Sequence, residues 1–498
     1  MIVNVTELLP DISERLDHIV SGLPALAPEL VLIAAFVVSI LTGLFVDRLW
    51  RHGSFSVTIT GIVISALASG FLMGTPSAEG LLFGMVSTDM FGQYMRILIS
   101  GVCLLFALFV NTSPDFRTHS KKTADLYSIL LATHIGLNLM ALATHWLMTF
   151  IAIEMVSIGS YLMVGYLAKD SRQTEAAMKY VLFGAVCSAV MLYGMSLLYG
   201  FTGNLDYTSA QHIEGLNAMP PLLVTIALLF VFTGIGFKLT FVPFHFWTPD
   251  VYQGAPTPVT GFLSTAPKIA GIALLANILC AWPADSLPYR NLQLMLVATA
   301  AVTMLWGNLA ALRQTDVKRM MAYSSIGHTG FLIMAVLAYS SQDYTALLFY
   351  LVVYALMNMG VFMITGYIES RTGAIDVKQY GGLGKTMPLA LVCFTLLMIS
   401  LTGIPPTSGF VAKLLVFTAV FHSWQATGDI GMVLLLIVGA LTTVVSLFYY
   451  FKIPLHAFLK SAESESEVKP LRHSILWVAV LLTVAVWLLG VFPDLLVG

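Results

Sequence analysis

The chain has 498 residues, 58% of them hydrophobic and 10% charged, with a formal net charge of −2. A soluble chain carries about 25% charged residues, so a soluble fold is excluded and no nucleic-acid partner is expected. A mean hydropathy of +0.87 points instead to the lipid bilayer as the surrounding medium. The fold class expected is an all-α polytopic membrane protein, because the apolar runs are about 20 residues long, whereas barrel strands alternate over about 10.

Residues 1–26 are acidic and lack both a basic n-region and a small-residue cleavage site, so they are expected to be an extracytoplasmic segment ahead of a retained first span. Apolar runs then fall at roughly 27–47, 55–75, 91–111, 124–144, 145–168, 175–200, 220–247, 257–282, 291–311, 320–340, 343–368, 386–422, 428–451 and 474–496, which makes fourteen spans. The stretch 124–168 is too long for one helix in a hydrocarbon core of about 30 Å. It is divided at Thr144, His145 and Trp146.

Charge supports the count. Alternate loops hold Arg48 and Arg51; Arg117, Lys121 and Lys122; Lys169 and Arg172; Arg313, Lys318 and Arg319; Arg371, Lys378 and Lys385; and Lys452, Lys460, Lys469 and Arg472. The opposite loops and tails hold only Arg15 and Arg290. Both termini are therefore expected outside the cytoplasm. The remaining basic residues, Arg96, Lys179, Lys238, Lys268 and Lys413, lie within spans.

The sequence also repeats. Thr233-Gly234-Ile235 with Phe241-Val242 recurs as Thr402-Gly403-Ile404 with Phe410-Val411, and Ser157-Ile158-Gly159 recurs as Ser325-Ile326-Gly327. The shifts are nearly equal and correspond to five spans. Five is odd, so the second copy is inverted, a pattern of ion-coupled transporters whose broken helices occupy matching places. The domain organisation expected is 1–26; three flanking helices in 27–123; a first five-helix repeat in 124–282 (spans 4–8); an inverted second repeat in 283–457 (spans 9–13); and a cytoplasmic loop with a last helix in 458–498. Span 7 breaks at Pro243, and span 12 breaks among Gly403, Pro405, Pro406 and Gly409.

A charge inside an apolar span costs about 2.5–3.5 kcal/mol on insertion scales and marks an ion or proton pathway. Glu154 is the one acidic residue placed deep in a span, and Lys238 is its natural partner. Burial disfavours the charged lysine and a nearby carboxylate favours it, so moving Glu154 switches whether Lys238 holds a proton. The alternative is a static pair that fixes helix packing. Lys268 and Lys413 extend the series, and His245 is placed to relay between Lys238 and Lys268. His328, with Ser324, Ser325 and Thr329, reads as lining a hydrated path or as a packing contact. Snorkelling to an interface is the alternative for Lys268 and Lys413, and it suits Lys179, five residues into its span, better than Lys268, about twelve into its own. His134 and His145 fall too near span ends to interpret. The four cysteines are scattered one per span, and no His/Cys/Asp/Glu grouping has metal-ligand spacing, so no metal or redox cofactor is expected in this chain.

Three segments carry a resemblance: FKLTFVPFHFWTPDVYQGAPTPV from Phe237, EAAMKY at Glu175–Tyr180, and IEMVSIGSYLMVGY around Glu154. They resemble the antiporter-like subunits of respiratory complex I, and most closely those of the N type. The resemblance implies fourteen helices with two inverted five-helix repeats. It also implies a proton-translocating role in a quinone-reducing complex of the bacterial inner membrane. Glu154 and Lys238 would form the switch pair, Lys268 the central lysine and Lys413 the terminal protonatable group, with Lys179 and His245 along the path. NADH, FMN, iron–sulfur clusters and quinone would be handled by partner subunits. Those partners would include the antiporter-like M and L subunits and the small K, J and A subunits. The same scaffold serves Mrp-type cation/proton antiporters and membrane-bound hydrogenases, which is the alternative expectation.

Overall fold

The structure, a computed structural model, describes residues 19–47, 50, 52–118, 123–168, 170–339, 343–461 and 474–497. Of the charge tally above, Arg15, Arg48, Arg51, Lys121, Lys122, Lys169, Lys469 and Arg472 lie outside these residues. Among the described residues, 13 helices are long and apolar enough to cross a membrane. The fourteenth span is the broken one: span 12 is two pieces, Pro388–Thr402 and Ser408–Thr427, with Gly403–Thr407 between them.

The division of 124–168 is seen directly. Span 4 is Ala124–Leu142 and span 5 is Trp146–Val164, with extended backbone at Ala143 and His145 between them. Tyr207 donates its hydroxyl to the Ala143 carbonyl and pins this turn. Span 7 runs Pro221–Leu239, stops on Thr240 in the left-handed region (φ +64°), and resumes as the short helix Trp247–Gly254. The break thus begins a little before Pro243. Gly236 permits it, because a Cβ there would come within 2.6 Å of the Phe241 and Phe244 rings folded back on the helix.

Loop contacts sort the chain ends of the spans into two faces. On one face, Arg319 in the first turn of span 10 bonds Asp250 at the end of the broken span 7. Val317 N–H, also at the start of span 10, bonds Ile375 O between spans 11 and 12, and Lys452 near the end of span 13 donates to the Leu312 carbonyl after span 9. On the other, Thr144 N–H bonds Met85 O, Trp146 N–H bonds Leu205 O, and Trp282 Nε1 donates to Tyr207 O. This grouping is what strict alternation of fourteen crossings requires.

The two copies pack alike. Span 8 (Thr257–Ala281) lies against spans 4 and 5, and span 13 (Ile430–Leu459) lies against spans 9 (Leu287–Ala311) and 10 (Val317–Leu337). Gly159 and Gly327 make the same close approach to the preceding span: a Cβ would meet Thr133 Oγ1 at 2.0 Å in one and Asn308 Nδ2 at 2.8 Å in the other. The copies differ in where the helix breaks. Thr233-Gly234-Ile235 lies inside a continuous helix, whereas Gly403 of the matching Thr402-Gly403-Ile404 is itself the helix end, at φ +86°. Pro405 and Pro406 follow at once and cannot donate to a continuing helix, while the first copy meets no proline until Pro243. Spans 8, 10 and 11 (Thr345–Thr372) are almost wholly enclosed and form the centre of the bundle.

Candidate functional site

Three lysines lie inside the bundle. Lys238, Lys268 and Lys413 are 2%, 0% and 5% exposed, so snorkelling does not describe Lys268 or Lys413. None has an ion pair among the described residues. Each instead donates to uncharged oxygens.

Lys238 occupies the last turn before the break in span 7, and its Nζ donates to Ser157 Oγ at 3.2 Å. Ser157 is three residues beyond Glu154 on span 5, on the same helical face. Glu154 itself does not pair with Lys238. It is half-buried, between the exposed Ile151 and Ile158, and accepts a hydrogen bond from Ser188 of span 6 (Ser171–Thr202). The expected pair is thus present as neighbours, each held by a serine.

Lys268 sits mid-span in span 8, directly after Pro267. Its Nζ donates to Ser325 Oγ (2.7 Å), Ser325 O (2.8 Å) and Thr329 Oγ1 (2.9 Å), all from span 10. Thr329 in turn donates to the carbonyl of Leu239, the residue after Lys238, at 3.0 Å. The hydroxyl of Tyr354 donates to Ser264 O at 2.8 Å, which leaves the Ser325 hydroxyl to donate to Tyr354 at 2.8 Å. One turn on, His328 meets Tyr350 through Nδ1 (2.8 Å) and Tyr450 through Nε2 (3.1 Å), and Tyr450 also bonds Ser324. The His328 ring stands 6.4 Å from that of Phe331, the same ring that the Lys413 ammonium faces. The polar patch expected in span 10 is therefore the hub of the site.

Lys413 lies in the second half of span 12 and reaches back across the break. It donates to Thr402 O (2.8 Å) and Leu401 O (3.3 Å), the open carbonyls at the end of the first half. A cation at a helix C-terminus is favoured by the aligned peptide dipoles. Its ammonium also stands 5.0 Å from the centre of the Phe331 ring, an attraction worth about 0.5–2 kcal/mol.

Two expected members stand apart from this line. Lys179 is 38% exposed and bonds Asp250 (2.7 Å) and Glu175 (2.8 Å); Asp250 also takes Arg319 (2.6 Å). Burial works against the Asp250 carboxylate, but the hydrogen bonds from Lys179 and Arg319 outweigh it and hold its pKa below the usual value. This network borders a polar cavity of about 280 Å³ lined by Arg172, Glu175, Lys179, Asp250 and Gln253. His245 is buried in the break, with its ring against Phe246 and Trp306. No hydrogen bond joins it to Lys238 or Lys268, and its Nδ1 has no partner among the described residues.

Several functional groups escape a reading of the sequence alone. Ser157, Ser188, Tyr350, Tyr354 and Tyr450 look like ordinary content of apolar runs; only their partners single them out. His134 is not near a span end: it lies at the middle of span 4, fully buried, bonded to Ser100 at 3.1 Å. Nor is Glu154 the only buried acid. Glu29 of span 1 is 4% exposed and forms a two-pronged pair with Arg96 (2.6 and 3.0 Å), completed by Asn138 at 3.0 Å. Among the described residues no group of His, Cys, Asp and Glu is arranged to hold a metal.

The sequence pattern of a family described as NADH:quinone oxidoreductase/Mrp antiporter matches residues 143–446. The NADH-quinone oxidoreductase subunit N 2 of Chloroherpeton thalassium is 38% identical over 467 residues, 92% of this chain and 90% of that protein. A chain in the structure of respiratory complex I from Thermus thermophilus with bound aureothin shares 29% identity at a TM-score of 0.76. It covers 94% of this chain and 98% of that one. A chain of the archaeal membrane-bound sulfane sulfur reductase shares 26% identity at a TM-score of 0.80, with 95% of each covered. With more than half of its length matched to the family pattern and nearly all of it to a curated relative, the chain belongs to the NADH:quinone oxidoreductase/Mrp antiporter membrane family.

Proposed function

We propose that this chain is the N-type, proton-translocating membrane subunit of a complex I-type NADH–quinone oxidoreductase. It acts within the enzyme without redox chemistry of its own. Electrons pass through NADH, FMN, iron–sulfur clusters and quinone in partner subunits, and neighbouring membrane subunits of the M, L, K, J and A types flank it. It lies in the bacterial inner membrane with both termini on the outer side, which the charge asymmetry of the loops supports. The observation that carries the reading is the set of three enclosed lysines, Lys238, Lys268 and Lys413, none neutralised by an acid and all tied to hydroxyls or carbonyls near two helix breaks.

In this reading, Glu154 moves between Ser188 and Lys238 as redox events in the complex proceed. Lys238 then exchanges its proton with Lys268, and His328 with Tyr350 and Tyr450 leads from Lys268 towards Lys413. Lys179 and Asp250 stand at the polar cavity on the same face as the charged loops, which suits the uptake side. His245 joins the path through water in the break. Against about 150 mV each proton costs roughly 3.5 kcal/mol, which only the coupled complex supplies. The test is Lys238→Ala in the assembled enzyme. Quinone reduction linked to pumping is expected to fall severely, and an assembled variant with full activity and full stoichiometry overturns the role of Lys238.

A second reading, an Mrp-type cation/proton antiporter subunit, is favoured by the breadth of the matched family. Affinity purification separates the two. Recovery with iron–sulfur and quinone-site subunits supports the first, and recovery with small membrane subunits alone supports the second.

A further inference from the structure

Among the charged groups of the first copy, the carboxylate and the ammonium that would attract one another are each bound to a serine. This division of partners rests on side chains that had an easier option. A serine within a helix commonly donates to the carbonyl four residues back, as Ser160 does to Val156 O at 2.6 Å. Ser188 instead crosses from span 6 to Glu154. Ser157 presents its oxygen to Lys238 at 3.2 Å, from one turn beyond Glu154 on the same helix.

The second copy repeats half of this arrangement. Ser325 matches Ser157 in the sequence repeat, and it too accepts from a buried lysine at 2.7 Å, here Lys268 of span 8 in the first copy. Position 322, which matches Glu154, is alanine, so the second copy offers a docking serine to Lys268 and no carboxylate at the matching place to compete for it. The docking serine is thus common to both copies, and the Ser188–Glu154 contact is the addition that distinguishes the first.

We propose that Ser188 and Ser157 are positioning residues of the Glu154–Lys238 switch. Ser188 parks the carboxylate on span 6, Ser157 parks the ammonium on span 5, and pairing requires both hydroxyls to let go. The inference rests on the switch reading given under the proposed function. In this arrangement a proton leaves Lys238 most readily while the carboxylate is parked, and the hydroxyls set how long that state lasts. The serines neither gain nor lose a proton overall.

The experiment compares Glu154→Gln, Ser188→Ala, Ser188→Thr and the double variant Glu154→Gln/Ser188→Ala, in assembled complex in membrane vesicles. Protons moved and quinone reduced are read together. Ser188→Ala is expected to lower coupled turnover about tenfold, the scale of one hydrogen bond to a charged group, and Ser188→Thr to restore it. In the Glu154→Gln background the same alanine is expected to add nothing, because the group it holds no longer carries charge. A helix-packing role for Ser188 gives losses that multiply in the double variant, and that result overturns the proposal, as does full pumping in Ser188→Ala when Glu154→Gln is defective. Full pumping in Glu154→Gln itself overturns the underlying switch reading. Should the alanine variant fail to assemble, Ser188→Cys fills the same space with a weak donor and carries the same expectations.

Discussion

The two broken spans solve one problem in different ways. In span 7 the lysine precedes the break, and Lys238 rests on a side-chain hydroxyl with Glu154 one turn away. In span 12 the lysine follows the break, and Lys413 turns back to cap the backbone carbonyls of Leu401 and Thr402. A hydroxyl on a neighbouring helix can rotate away, and a carboxylate can take its place. Two carbonyls fixed by a helix end cannot. The first ammonium thus rests on a partner that can rotate, and the second on partners that are fixed.

The largest effects should separate these two tasks. Lys238→Ala is expected to lower pumping-linked quinone reduction by an order of magnitude or more, at about 1.4 kcal/mol of barrier for each tenfold, and Lys413→Arg to lower it as well while leaving thermal stability intact, because a guanidinium still caps the two carbonyls but does not release its proton. Steady-state turnover, acid release from the same vesicles and thermal midpoints check both, and full pumping in Lys413→Arg would leave that lysine as a cap alone. Next in size is the polar clamp outside either copy. Arg96→Met leaves Glu29 buried without its partner and is expected to cost about 3–5 kcal/mol, read as a lower midpoint in thermal unfolding in detergent.

The breaks themselves respond oppositely. Gly403→Ala places a Cβ at φ +86° and within 2.9 Å of Lys413 Cδ, so a loss of about 1–2 kcal/mol is expected. Thr240→Gly relieves a left-handed non-glycine residue at the corresponding end of the first half-helix and should leave stability unchanged or raise it by up to about 1 kcal/mol. Thermal midpoints of the two variants decide whether the ends are built differently. The smallest effect lies in the loop helix Ala210–Asn217. His212 is fully enclosed, and burial lowers its pKa from 6.5. Its Nε2 accepts from the Trp146 indole at 3.3 Å while Nδ1 faces the Asn204 carbonyl at 2.9 Å, so the neutral ring fits. The folded state resists protonation that the unfolded state accepts. Stability from His212 is therefore complete above about pH 6.5 and declines as the pH falls below it. Hydrogen exchange of this loop against pH, in wild type and His212→Gln, measures the difference.

Most of the architecture was legible from the chain because long apolar runs and loop charge obey simple rules. The runs gave fourteen spans, and the division at Thr144–Trp146 holds in the structure. The buried lysines were equally visible, since a lone charge stands out against an apolar background. What stayed hidden is the network of neutral partners. Ser157, Ser188, Tyr354 and Tyr450 are inexpensive within a span and leave no mark on hydropathy, so only packing assigns them. Glu29 was overlooked for a different reason. It stands near a span end in sequence, and its depth is set by spans 3 and 4 folding Arg96 and Asn138 around it. The matching Thr-Gly-Ile triplets identified the two copies but not the register of their breaks, which proline placement decides.

One further consequence follows from the contacts that tie the copies together at both faces. Asp250 bonds Arg319 and Gln253 bonds Asp316 on one side, while Asn217 accepts from Leu287 N–H and Asn291 donates to the Pro221 carbonyl on the other. A rocking-bundle carrier exposes its cargo by tilting one half against the other, and it leaves one rim free to open in each pose. Here both rims are laced, so such a tilt would have to undo a set of bonds at each stroke. The scaffold is suited to standing still while its side chains rotate, and the cargo that fits such a machine is one small enough to be handed from group to group.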